Sequence, residues 1–404
     1  MPQLEVHGTC HPAYSHIREE FVRNFAERGE LGASLHITVD GEAVVDLWGG
    51  TADPATGRRW EADTLACVYS CTKGIAALAA HMLVDRGLLD LEGLVSDYWP
   101  DYACAGKERT TVRMLLDHSA GVPAVDADVQ PGDMYDADIM ASYLAQQRPW
   151  WEPGTRNGYH LVTFGWTIGE IVRRVSGLTL GQFIAKEIAE PLDADFYLGL
   201  PAELEDRVAP ITVWQPGPDY VPTPYSLAML TRPDSVQAVA MANVTAAGVD
   251  ANSRAFRAAE LGGMGGMATA RGLAGLYTPL ALGGGSIVSG DAIVRMSQPA
   301  VATSEDALLL IPTRFGLGFM TSMDNRRRGP RANGSSVVLG PSAFGHVGMG
   351  GSLGFADPSE RLGFAYVMNK HGEGILLNDK GQSLVDATYR SLGFRTNAPG
   401  VWVR

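Results

Sequence analysis

The chain has 404 residues, 46% hydrophobic and 19% charged, a balance that supports a large core and excludes a disordered polypeptide. A formal net charge of −13 argues against nucleic acid or an anionic membrane as partner. The apolar stretch around residues 272–285 is broken by glycines and too short to span a bilayer. The first twenty residues lack the basic and apolar regions of a secretory signal. Cys10, Cys67, Cys71 and Cys104 have no CxxC spacing and read as free thiols in a reducing cytoplasm.

In chain order, Ile17, Phe21, Val22 and Phe25 form a helical stripe within His11–Arg28. Gly32–Val39 and Ala43–Trp48 read as two strands joined at Asp40-Gly41, a strong hairpin signal. Ser70–Arg86 is a helix rich in Ala and Leu, stopped by Gly87. From Leu88 to Gly199 helical patterns alternate with Pro and Gly punctuation, whereas proline-rich Ala202–Asn252 predicts long loops and short pieces. Thr269–Leu282 is helical and follows a glycine cluster, Gly262-Gly263-Met264-Gly265-Gly266. Gly316–Ser322, Ala343–Val347, Ser352–Asp357 and Leu362–Asn369 read as antiparallel strands, and Leu377–Ser391 as a closing helix. The order predicts an α/β chain of the α+β type, an antiparallel sheet flanked by helices with an inserted, mostly helical domain. The expected boundaries are 1–90 and 200–404 for the sandwich domain and 91–199 for the insertion.

Three motifs carry chemistry. Ser70-Cys71-Thr72-Lys73 opens the helix at Ser70, so Ser70 and Lys73 share one face with their heads adjacent. A serine hydroxyl needs a base, and burial together with the positive end of a helix dipole favours a neutral lysine amine. Tyr159 sits where a loop (Trp151 to Gly158) meets a helical run, Thr163–Val175. Near Lys73 its phenolate would be favoured, making it a competent base. Far downstream, Phe344-Gly345-His346-Val347-Gly348-Met349-Gly350-Gly351 reads as an edge strand whose glycines permit close approach of a substrate to backbone. One N–H of this segment, with that of Ser70, could form an oxyanion hole.

Together the three motifs resemble the serine β-lactamase and penicillin-binding-protein superfamily, closest to class C β-lactamases and family VIII carboxylesterases. Leu115–Pro123, Glu152-Pro153-Gly154 and Gly351–Pro358 extend the likeness over residues 13–393. The resemblance implies a β-lactamase-like fold, Ser70 as acylated nucleophile, and Lys73 with Tyr159 as the general acid/base pair. It further implies that the N–H of Met349 completes the oxyanion hole and that His346-Val347-Gly348 lines the pocket. Two departures bear on the substrate. Leu161 stands where lactamases carry an asparagine, and His346 replaces a permanent cation. Both weaken recognition of an anionic amide, so the expectation is a serine carboxylesterase for small-molecule esters, with no cofactor and no metal. A β-lactamase, a D-amino-acid peptidase or an acyltransferase of the same fold, and a catalytically silent scaffold, are the alternatives; oligomeric state is not legible.

Other patterns compete for notice. Gly350-Gly351-Ser352-Leu353-Gly354 matches a nucleophile elbow, yet no helix is expected after it. Asp117-His118-Ser119 and Ser96-Asp97-Tyr98 read as a structural turn and a helix-to-loop connection. The spacing of His7, Cys10, His11 and His16 fits no common metal site. Asn325–Arg331, with four arginines, reads as a solvated loop, and Trp150 and Trp151 serve either an acyl pocket or helix packing.

Overall fold

The computed structural model describes residues 5–218, 220–328 and 332–404. Its centre is an antiparallel sheet of β1 (Val6–Cys10), β2 (Gly32–Val39), β3 (Glu42–Asp53), β4 (Phe344–Val347), β5 (Leu353–Asp357) and β6 (Leu362–Met368). Their spatial order is β1-β3-β2-β6-β5-β4, so the two ends of the chain meet at the β2–β6 pair, where Leu35 faces Tyr366. Both faces are covered, which is why β5 and β6 are buried along their whole length and read as unbroken apolar runs. Helices α1 (Ser15–Glu27) and α7 (Asp379–Ser391) close one face through Ile17, Phe21, Leu384 and Val385 against Phe355 and Phe364. On the other face lies α6 (Ala270–Ala281), whose Leu273 and Tyr277 belong to the larger core with Ala356, Ala365 and Val367. That core continues into α2 (Cys71–Asp85) and α3 (Thr163–Ser176), between the two sheet-forming segments.

One buried ion pair ties the layers together. Glu30, just after α1, accepts from Lys380 Nζ of α7 at 3.0 Å and from the Tyr366 hydroxyl of β6. Lys380 also donates to the Lys370 carbonyl at 2.6 Å.

The structure corrects several local expectations. The strand expected at Gly316–Ser322 is absent: Gly318 turns at φ +84° and Gly316 N–H bonds Phe319 O at 2.8 Å, a turn in mid-segment. Only Met320 bridges to the sheet, at Gly345. Residues 202–252 are long loops and short pieces, as expected, and two of the pieces are helices, α4 (Pro224–Thr231) and α5 (Val236–Ala246), capped by Thr223 and Ser235. Nearly free of charge, these two helices carry no polar stripe, and the prolines around them mask the signal. The first helix starts four residues later than expected, after a single 3₁₀ turn at Pro12–Tyr14.

His81, His118, His160, His346 and His371 are all buried. Burial pushes His81, His160 and His371 down to about 4, His346 to about 3, and His118 well below the ordinary value. In the unfolded chain each titrates near its ordinary value of 6.5 and binds protons that the native state refuses. Their contribution is therefore fully present above about pH 6.5 and is lost as pH falls toward 4. The urea midpoint should drop between pH 7.5 and 5 by the equivalent of at least about 2 kcal/mol. An unchanged midpoint contradicts this reading.

Candidate active site

The Ser70 segment is fixed from below by a short strand pair, Ala66–Cys67 against Met267–Ala268. Val68 N–H then bonds Gly266 O at 2.9 Å, and Tyr69 turns into the left-handed region at φ +44°. Such a turn is costly for a tyrosine and persists only when its surroundings hold it. Thr72 does so: its hydroxyl donates to Tyr69 O at 2.5 Å and accepts from Gly266 N–H at 2.9 Å. Ser70 emerges at the N-terminus of α2, which is buried from Cys71 to Leu83.

Lys73, one turn along, is fully buried. Its Nζ lies 2.9 Å from Ser70 Oγ, 2.7 Å from Leu161 O and 2.7 Å from Gly263 O. Desolvation drives its pKa well below the ordinary lysine value, with no carboxylate to oppose it. A neutral amine has two N–H bonds and one lone pair. Two carbonyls occupy the former, which aims the latter at Ser70. The Gly263 carbonyl reaches Lys73 because two segments meet without side chains: a Cβ on Gly165 of α3 would stand 2.1 Å from Gly263 N.

Tyr159 arrives on a loop held by Asp306, which sequence reasoning did not single out. Both Asp306 oxygens accept from Tyr159 N–H at 3.0 Å, and the carboxylate also accepts from Leu308 N–H, Leu309 N–H and the Thr313 hydroxyl. His160 Nδ1–H donates to Gly158 O at 2.8 Å while its Nε2 accepts from Val122 N–H at 3.1 Å, which fixes the tautomer. The Tyr159 ring stacks on Phe315 (centroids 5.7 Å apart) and meets the edge of His118 at 5.0 Å. Lys73 Nζ is 4.8 Å from the ring centre. The expectation of a phenolate does not hold. Burial raises the Tyr159 pKa by more than its hydrogen bond with Ser70 lowers it, so the hydroxyl keeps its proton.

His346 of β4 is buried and neutral, with Nδ1–H on Val347 O at 2.7 Å and Nε2 without a partner among the described residues. Its carbonyl accepts from the Cys71 thiol at 3.1 Å, which ties β4 to α2. A Cβ on Gly348 would stand 2.2 Å from Val68 O, so glycine lets the turn after β4 close on the segment before Ser70. The N–H groups of Ser70 and Met349 have no acceptor among the described residues. Ser70, Tyr159, Leu161, Val347 and Met349 line a cavity of about 150 Å³ whose wall is completed by Tyr225, Met241, Leu309, Met320, Ile375 and Leu376.

Trp151 is not in that wall. It braces the Tyr159 loop from behind, with its Nε1 on Ser119 O at 3.2 Å and its ring against Gly158. Ser352 is buried and leads into strand β5, so it has no elbow geometry. Asp117 accepts from Ser119 N–H, a local turn, and Asp97 caps the Leu94 N–H. His7 stacks on Trp48, His11 caps Ala13 N–H and His16 pairs with Glu19. Among the described residues no three metal-ligating side chains converge. Arg326 pairs with Asp324 at 2.8 Å, while residues 329–331 of the arginine-rich segment lie outside the described residues. No described helix is long and apolar enough to cross a membrane.

Comparison with known proteins places this geometry. The Beta-lactamase family model matches residues 18–384. Esterase/beta-lactamase LipL of Mycobacterium tuberculosis is 32% identical over 380 residues, covering 93% of this chain and 85% of that protein. A crystal structure of a family VIII carboxylesterase superposes with a TM-score of 0.80 at 39% identity, covering 96% of this chain and all of the other. A penicillin-binding-protein homologue from Caulobacter crescentus does so with a TM-score of 0.83 at 34% identity, again over 96% and 100% of the two chains. Fold and sequence agree, and the chain belongs to the Beta-lactamase family.

Proposed function

We propose that this protein hydrolyses small carboxylic esters through an acyl-Ser70 intermediate. The observation that carries the proposal is the Lys73 amine, held by two carbonyls with Ser70 Oγ at 2.9 Å. In the first step the Ser70 hydroxyl gives its proton to the Lys73 lone pair as Oγ attacks the ester carbonyl. The N–H groups of Ser70 and Met349, free of other acceptors among the described residues, receive the developing oxyanion. As the C–O bond breaks, Tyr159 protonates the departing alkoxide and recovers a proton from Lys73, which returns to the neutral amine. Water then repeats the sequence on the acyl-Ser70, with Tyr159 and Lys73 carrying its proton and Ser70 as leaving group.

Esters fit this site better than lactams. Leu161 offers the substrate an apolar side chain and uses its carbonyl on Lys73, and His346 stays uncharged down to about pH 3. Among the described residues no cation lines the cavity to meet a carboxylate. The double designation of the M. tuberculosis relative keeps β-lactam hydrolysis as the second reading. Four unpaired cysteines support a cytoplasmic setting. We take residues 91–199 as a helical domain inserted between residues 1–90 and 200–404, because the main sheet draws its strands from both flanks.

The direct test is fluorophosphonate labelling followed by peptide mass spectrometry, which should place the adduct on Ser70. Ser70→Ala should lose both the label and the turnover of 4-nitrophenyl esters; an adduct on Ser352, or turnover persisting in the variant, refutes the mechanism. Replacing Lys73 with Ala or Tyr159 with Phe should each lower kcat about 10²-fold or more, as expected of a positioned proton-transfer group. For a neutral ester, kcat/KM should rise with pH as Lys73 loses its proton, far below the ordinary lysine value of 10.5. An ascending limb at that ordinary value would show a Lys73 that is not desolvated. Nitrocefin turnover equal to ester turnover would reverse the substrate ranking.

A further inference from the structure

The two N–H groups offered to the oxyanion are anchored differently. That of Ser70 opens α2, a helix buried from Cys71 to Leu83. That of Met349 lies in the turn between β4 and β5, and the Met349 side chain is 52% exposed, so burying it does not fix the turn. Within the turn Gly348 N–H bonds Ser352 O at 2.7 Å and Gly351 N–H bonds Gly348 O at 3.0 Å. Gly350 and Gly351 then stand at φ +87° and +122°. Glycines visit such conformations freely and hold none of them unaided.

The holding contact falls on Gly350 O. It accepts from Asn378 Nδ2–H at 2.7 Å and from Gly372 N–H at 2.9 Å. Asn378 is buried at the N-cap of α7, where its Oδ1 accepts from Lys380 N–H at 3.2 Å and Gly381 N–H at 3.4 Å. The two ends of one amide are thus divided, the oxygen capping the helix and the nitrogen clamping the turn. A Cβ on Gly351 would stand 2.5 Å from that nitrogen, and one on Gly372 2.3 Å, so both segments close on it only as glycine. Two residues along, the Lys380–Glu30 pair holds this end of α7 against the sheet layer.

We propose that Asn378 is a positioning residue, which by clamping Gly350 O aims the neighbouring Met349 N–H at the oxygen of the reacting carbonyl. The inference rests on the ester-hydrolase reading of the Ser70 site. Asn378 acts only through Gly350 and makes no contact with the reacting atoms in this scheme. An oxyanion donor is effective within a narrow range, about 2.7–3.1 Å from where the charge forms. A turn released by Asn378 therefore loses binding of the transition state and leaves binding of the substrate intact.

The test separates the clamp from the cap. Asn378→Ser keeps a capping oxygen and removes the clamping nitrogen, since serine caps helices about as well as asparagine; Asn378→Ala removes both. Each is assayed for turnover of 4-nitrophenyl acetate and for inhibition by an alkyl trifluoromethyl ketone, whose adduct with Ser70 sets an oxyanion in the hole. In both variants kcat and the affinity for the ketone should fall together by about tenfold or more, part of the roughly 10²–10³ that loss of an oxyanion donor costs. KM should hold. The thermal midpoint should drop in Asn378→Ala and hold in Asn378→Ser. A Ki unaltered in both variants overturns the inference and leaves the esterase reading standing, because a loss of folded enzyme lowers turnover without moving a Ki. A rise in KM that accounts for the whole loss in kcat/KM also overturns it, since Asn378 would then serve substrate binding. Wild type that neither hydrolyses the ester nor binds the ketone defeats the esterase reading itself.

Discussion

The amine of Lys73 has been taken out of water and given two backbone carbonyls, and much of the molecule is arranged to keep it there. A charged ammonium in that position would need a carboxylate to offset its lost hydration, and none is supplied. The chain resolves the conflict by lowering the affinity for the proton, which leaves a lone pair on the amine beside Ser70. Achieving this takes three distant segments: the start of α2, the residue two after Tyr159, and the glycine cluster before α6. The central sheet brings the two chain ends together, and α6, packed on its face, carries the glycine cluster with it.

The electrostatics around this base are uniformly unfavourable to charge. His118, His160 and His346 are buried close to Lys73 and held neutral, and the presence of Lys73 is among the causes that depress each of them. The phenol of Tyr159 likewise keeps its proton. A site of neutral donors and acceptors in an apolar wall stabilises charge only where it develops transiently, at the two N–H groups beside the reacting carbonyl. Under the proposed ester hydrolysis, such a site suits uncharged substrates.

Side-chain chemistry was legible in the sequence where residue identity and spacing carry it. Ser70, Lys73, Tyr159 and the His346–Gly348 strand are such cases, and the structure brings all of them to one cavity or its immediate wall. The groups missed are those whose contribution is backbone or tertiary. Leu161 and Gly263 act through carbonyls, which any residue possesses, and Asp306 reaches Tyr159 across 147 positions with no motif around it. Tyr225 lay in a proline-rich segment read as long loops and short pieces, and it stands in the first turn of one short uncharged helix. Trp151, expected to bind substrate, instead braces the Tyr159 loop from outside the cavity, a placement that adjacency in sequence does not reveal. The sheet was readable from β2, β4, β5 and β6, which are apolar because both faces are covered. The false strand at Gly316–Ser322 shows the limit of that signal where a glycine permits a turn.

The contact between Gly165 and Gly263 has a consequence for how this protein can change. Neither residue meets a substrate, yet a side chain on Gly165 would wedge α3 away from the glycine cluster and carry the Gly263 carbonyl off the amine. With one carbonyl gone, the remaining N–H would need a new acceptor or the nitrogen would reorient, and in the proposed mechanism Ser70 would lose its base. Sequence drift at this crossing is therefore coupled to reaction rate rather than to substrate choice. If the proposed ester hydrolysis holds, substitutions there should separate in a mutational library from those in the cavity wall, retuning the pH of the reaction while leaving preferences among esters intact.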